Sequence, residues 1–211
     1  MTTITRTTTT AGAVALALTL AACGGGDGTT AGETTAPETT AGEAATTASF
    51  NDADVAFAQQ MIVHHRGALE MSELAVEKTQ NAEVRALAER VISAQQPEID
   101  TMTGWLEEWG RDVPQGTSLE GVEMPGMEGM DMGTMPMPGQ MSEEQMDEMA
   151  GMSGPEFDRM FLESMVEHHR GAIEMAEAQL QDGENAEALA LAEDVIAAQT
   201  AEIEEIEQLL A

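Results

Sequence analysis

The chain has four histidines, and they fall in two pairs, His64–His65 and His168–His169, set 104 residues apart. Each pair has a methionine three positions before it (Met61, Met165) and another six positions after it (Met71, Met175). Thioether and imidazole together suit copper, above all Cu(I), whereas carboxylate-rich sets suit iron, manganese or magnesium. Zinc would ask for cysteine or more carboxylate. A di-iron bundle places Glu-x-x-His on two of its helices, but here Met61 and Met165 stand where that glutamate would be, which argues against a ferroxidase centre. A methionine on a helix is usually core filler, and a lone histidine is usually structural. The confinement of all four histidines to two equivalent, Met-flanked pairs favours a ligand role for both residue types.

The elements that must position these side chains read as helices. At about 100° per residue, Phe57, Met61, His64, His65, Ala68 and Met71 share one broad face with Asp54, while Arg66 and Glu70 point away. Phe161, Met165, His168, His169, Ala172 and Met175 repeat the pattern. Ala68 and Ala172 leave room beside the imidazoles. Gly67 and Gly171 each cost a mid-helix position about 1 kcal/mol relative to Ala, so they predict close approach of a backbone or a ligand. The duplication extends further: residues 54–106 and 158–210 align without a gap and match at 25 of 53 positions. Each unit reads as a helical hairpin with an apolar stripe on both helices. A lone hairpin cannot bury both stripes, so two should pack as an all-α four-helix bundle.

Composition agrees. There is no Tyr, there are four Phe and two Trp, and Ala and Leu dominate the apolar set, which favours helices. With 39 acidic against 8 basic residues the formal charge is −31; such a surface repels nucleic acid and anionic lipid and concentrates cations. Residues 11–22 form a short apolar run after Arg6, ending Leu20-Ala21-Ala22-Cys23. It is shorter than a spanning helix and reads as a signal-peptide core over 1–22. The Leu-Ala-Ala-Cys end resembles a bacterial lipobox, which makes Cys23 the lipidated first mature residue and places the protein outside the cytoplasm, anchored to the membrane. The alternative is an ordinary secretory signal beside an unrelated cysteine. A Gly/Thr-rich tether then covers 23–50. Repeat one covers 52–109, with helices over about 52–78 and 82–109 capped at Asn51 or Asp52 and at Asn81; Pro97 should kink the second. The crossover, 110–154, holds ten methionines between 124 and 152, and Ser142-Glu-Glu-Gln145 is a capping-box pattern for a short helix over 142–150. Repeat two covers 155–211, with helices over about 155–181 and from Asn185 to about 210. Met124, Met127, Met130, Met132, Met135 and Met137 are spaced so that a flexible loop can present several sulfurs to one Cu(I), with acidic neighbours attracting the cation. The other reading is an acidic linker whose methionines do nothing.

His-His-x-x-Ala-x-x-Met, present as His64 to Met71 and as His168 to Met175, resembles the bacterial family of domain of unknown function 305 across about residues 52–210. The resemblance implies a ferritin-like four-helix bundle, usually exported and associated with copper binding and tolerance. By matching positions it points to Met61, His64, His65 and Met71, and to Met165, His168, His169 and Met175. The expectation is a non-enzymatic extracytoplasmic copper-binding lipoprotein that sequesters copper or hands it to a partner protein. Two other classes stay open: a ferritin-like metal-dependent oxidoreductase and a metal-free envelope adaptor. No nucleophilic triad, phosphate loop or nucleotide motif is visible.

Overall fold

A computed structural model describes residues 49–127, 129, 130, 133 and 137–211. The expectations for the signal segment, for Cys23 and for Met132 and Met135 fall outside them. The described residues contain five helices and no strand: α1 (Asp52–Lys78), α2 (Ala82–Glu108), α3 (Glu143–Gly151), α4 (Gly154–Asp182) and α5 (Ala186–Leu210). Side-chain caps explain where four of them begin. Asn51 accepts from the Ala53 and Asp54 amides, Asn81 from Glu83 and Val84, Ser142 from Gln145, and Asn185 from Glu187 and Ala188. Asp54 and Gln145 complete capping boxes with Asn51 and Ser142. In α4 the start is marked instead by Pro155 in the first turn, where its missing N–H costs nothing. The helix α2 continues through Pro97. Pro97 and Ser93, the carbonyl it leaves without an intrahelical donor, both face solvent, where water can satisfy that oxygen.

α1 packs on α2, α4 on α5, and α1 on α4. The last pair runs antiparallel, because each helix start is tied to the other's end. Asn51 Nδ2 donates to the Asp182 carbonyl. The buried Asp54 carboxylate accepts from Gln179 Nε2 at 2.5 Å and from the Glu184 and Asn185 amides of the α4–α5 turn. Its repeat counterpart Asp158 accepts from Thr79 Oγ1, just past the end of α1, at 2.5 Å. α2 and α5 meet through longer side chains: Trp105 Nε1 donates to Glu187 at 3.1 Å and Arg90 pairs with Glu205.

The apolar interior divides in two. One cluster joins Val55–Ile62 of α1 to the second half of α2, the second half of α4 and the first half of α5; the other joins Ala68–Ala75 to the first half of α2, the first half of α4 and Ile206. The four histidines lie between them. The crossover runs along α1, held by Gln59 Nε2 on the Asp112 and Glu123 carbonyls and by Arg66 Nη1 on Pro114 and Gly116. Leu119 and Met124 pack on Val63. Among the described residues no helix is long and apolar enough to cross a membrane.

Candidate metal centre

All four imidazoles are fully buried, with Met61, Met71 and Met165 equally so and Met175 nearly so. The face expected to turn inward does so, while Glu70 is exposed and Arg66 is half-buried, reaching the crossover. The two repeats converge on a single layer. The His64 and His168 rings lie 3.7 Å apart between centroids, His64 to His65 is 6.5 Å and His168 to His169 is 6.4 Å. The methionines flank this layer in cross-repeat pairs, Met61 with Met175 in one apolar cluster and Met71 with Met165 in the other.

Every imidazole commits its Nε2 to an oxygen. His65 Nε2 donates to Glu98 at 2.6 Å and His169 Nε2 to Glu202 at 2.7 Å. His64 Nε2 donates to the Pro138 carbonyl at 3.0 Å and His168 Nε2 to the His64 carbonyl at 2.9 Å. A carbonyl only accepts, so the bonds of His64 and His168 place the proton on Nε2 and leave Nδ1 of these two rings as a lone-pair base. None of the four Nδ1 atoms has a hydrogen-bond partner. A buried polar atom left unpaired costs about 1–3 kcal/mol, and here four occur in one layer. Metal-binding histidines characteristically donate their second nitrogen to a carboxylate or carbonyl, which fixes ring and tautomer; that is the state of all four. Burial, reinforced by the neighbouring imidazoles, pushes His64 down to about 3 and His168 well below the ordinary histidine value. Both are therefore neutral at physiological pH and need lose no proton to bind a cation.

The residues of this layer that sequence reasoning missed are Glu98 and Glu202. Glu98 and Glu202 orient His65 and His169 from α2 and α5. Gln95 and Gln199 are buried on the same helices, with both amide atoms of Gln95 and Oε1 of Gln199 unpartnered. The available signal was the repeat itself, since both pairs are identities 104 residues apart on otherwise apolar stripes.

Of the described crossover methionines, Met127 and Met137 pack on the cluster that holds Met124, and Met130 stands apart. Met124 is buried against Val63 and Leu119, Met127 and Met137 are half-buried, and Met130 is 64% exposed. The segment that reaches the histidine layer is Pro138–Gly139. Its tight fit explains one of the mid-helix glycines: a Cβ at Gly171 would come inside 3.0 Å of the Pro138 carbonyl. Gly139 itself has φ +71° and lies against the Glu167 carbonyl, so a side chain there is excluded twice over. Gly67, by contrast, has only the His168 ring at 3.5 Å and the Gln140 amide at 3.6 Å beside its missing Cβ. Among the described residues no three His, Cys, Asp or Glu side chains gather as a metal site.

The fold has solved counterparts. A protein from Streptomyces coelicolor, predicted to be secreted, superposes with a TM-score of 0.64 at 30% identity, over 75% of this chain and 91% of that one. A fragment from Deinococcus radiodurans superposes at 0.63 with 26% identity, over 76% and 96%. CopM in its Cu(II)-bound form superposes at 0.58 with 31% identity, over 74% and 95%, and its Cu(I)-bound form at 0.57 with 29% identity, over 74% and 94%. No curated protein matches the chain. Residues 54–210 match the family model described as domain of unknown function (DUF305), and the chain belongs to that family.

Proposed function

We propose that this chain is an extracytoplasmic copper-binding lipoprotein, anchored through Cys23, that holds Cu(I) at its Met/His layer and sequesters it or passes it to a copper-handling partner. One observation carries the reading: four buried imidazoles whose Nε2 is committed to oxygen and whose Nδ1 has no partner, the central two, His64 and His168, held neutral by burial. The flanking buried donors are the thioethers of Met61, Met71, Met165 and Met175, so a cation here meets nitrogen and sulfur, the pairing that favours Cu(I). The copper-bound forms of CopM, and the secretion predicted for the Streptomyces relative, support the same direction. The donor set favours binding over catalysis: among the described residues it brings no carboxylates together in the manner of a di-iron oxidase. The His65–Glu98 and His169–Glu202 pairs are the feature that favours a metal-dependent oxidoreductase as the second reading.

The test is a competition titration with a Cu(I) chelator on the wild-type chain and on a His64→Ala/His168→Ala variant that circular dichroism shows to be folded. Affinity should fall sharply in the variant. Unchanged affinity and stoichiometry would remove the histidines from the site. Oxygen consumption on adding Fe(II) or Cu(I) would select the oxidoreductase.

A further inference from the structure

The two approaches to the histidine layer, equivalent by the repeat, are not equivalent in the folded chain. Past Gly171 the way is closed by Pro138–Gly139, and the cavity on that side, about 300 Å³, reaches Met175 and Phe57 but no histidine. Past Gly67 there is a cavity of about 630 Å³, and its lining includes His168. Three thioethers line it as well: Met71 of α1, Met141 in the crossover just ahead of α3, and Met146 of α3. Met71 is fully buried, Met141 and Met146 are half-buried, and the capping box of Ser142 and Gln145 fixes the turn between the last two.

We propose that this cavity is a thioether site where a soft monovalent cation, Cu(I) or Ag(I), binds on Met71, Met141 and Met146 before transfer to His168. The inference rests on the copper reading of the histidine layer and adds to it a direction of loading. Three features carry it. The cavity joins two half-buried methionines and buried Met71 to the fully buried His168 ring, whose Nε2 edge lies beside Gly67 and whose Nδ1 has no partner. Its rim carries Glu70, Glu143 and Asp147, and an adjoining surface groove of about 320 Å³ continues with Glu73 and Glu77. These carboxylates are poor ligands for a soft ion, but they raise its local concentration. Finally, neutral thioethers hold Cu(I) without any proton leaving, so passing the ion to the neutral His168 ring through its lone-pair nitrogen is ligand exchange, a thioether bond breaking as a nitrogen bond forms. No electron moves and the oxidation state is unchanged.

The experiment uses the metal-free full chain with 13C-methyl-labelled methionine, titrated with Ag(I) as a probe that does not change oxidation state. The methyl signals of Met71, Met141 and Met146 should shift at the first substoichiometric additions, while that of exposed Met130 stays in place. In parallel, Cu(I) transfer from a chelator is timed for wild type and for a Met141→Leu/Met146→Leu variant, a volume-conserving change. The variant should load about tenfold more slowly, and Met130→Leu should load at the wild-type rate. If wild type takes up no Cu(I), the copper reading itself fails. If wild type loads but the three methyls do not move, or the variant loads at the wild-type rate, the cavity proposal alone is overturned. Should the variant fail to fold, the methyl titration of the wild-type chain still decides.

Discussion

Gly67 and Gly171 occupy the same position in the two repeats, so a purely local view gives their replacement by alanine the same outcome. Removing a mid-helix glycine gains about 1 kcal/mol of helix propensity. At Gly67 the new methyl would meet the His168 ring at 3.5 Å and the Gln140 amide at 3.6 Å, ordinary van der Waals separations. Gly67→Ala should therefore stabilise the protein by most of that 1 kcal/mol, raising Tm by roughly 2–4 °C for a domain of this size. At Gly171 the methyl would fall inside 3.0 Å of the Pro138 carbonyl, and Gly139 cannot yield because it is lodged against the Glu167 carbonyl. Overpacking against backbone costs about 1–3 kcal/mol, which cancels or exceeds the propensity gain. The strain is relieved only by lifting Pro138–Gly139 off α4, which breaks the bond from His64 Nε2 to Pro138. Urea and thermal unfolding followed by circular dichroism give the stabilities, and the 15N signal of His64 reports the lost hydrogen bond. Equal stabilisation by both substitutions, with an unchanged His64 signal, would refute the closed approach on the α4 side.

Two further outcomes follow from the same contacts. Asp54→Asn should cost about 2–4 kcal/mol by urea unfolding, because a fully buried carboxylate that accepts from Gln179 and from the Glu184 and Asn185 amides is replaced by a group that brings donors of its own. The equivalent Asp158→Asn should cost clearly less, about 1 kcal/mol, since Asp158 is half-buried and accepts from Thr79. For pH, His64 binds a proton near 6.5 in the unfolded chain but only near 3 in the fold. The unfolded state then holds more protons between those values, so the contribution is fully present above 6.5 and is lost as pH falls towards 3. Metal-free wild type should lose stability between pH 6 and 5 more steeply than His64→Gln, by up to about 1.4 kcal/mol per pH unit. Protonation of the acidic surface is common to both proteins and cancels in the comparison; equal slopes would contradict the buried neutral imidazole.

The parts of this structure that were legible in the sequence are those carried by short-range rules. The helix spans follow from period and caps, and Asn51, Asn81, Ser142 and Asn185 cap as their types require. The inward face of α1 and α4 was legible because 3.6-residue spacing alone puts Met61, His64, His65 and Met71 together. What was not legible depends on register between elements. Glu98 meets His65 only because α2 returns along α1 at one particular offset, and Glu98 resembles any exposed acid until that offset is known. The seating of Pro138–Gly139 on α4 is a contact of irregular backbone, for which the pattern of apolar residues holds no signal. The methionine-rich crossover reads as uniform, yet packing divides it: Met124 is buried in an apolar cluster, Met130 is left in solvent, and Met141 and Met146 are set at a cavity.

A duplicated motif invites the conclusion that there are two equal sites, and the central histidines argue otherwise. Perfect twofold symmetry between α1 and α4 would have each ring donate to the other helix's carbonyl. His168 does this, reaching the His64 carbonyl, but His64 turns to Pro138 of the crossover instead. With the rings only 3.7 Å apart, the space between the helices accommodates one donor–acceptor arrangement, and the second ring takes its acceptor from the covering loop. Once that loop is committed to one side, the opposite side keeps its cavity, so the same contact that completes His64 also decides which approach stays open. The crossover therefore turns two copies of one motif into two chemically different halves: one histidine tied to the crossover backbone, and one held inside the bundle beside the sulfur-lined opening.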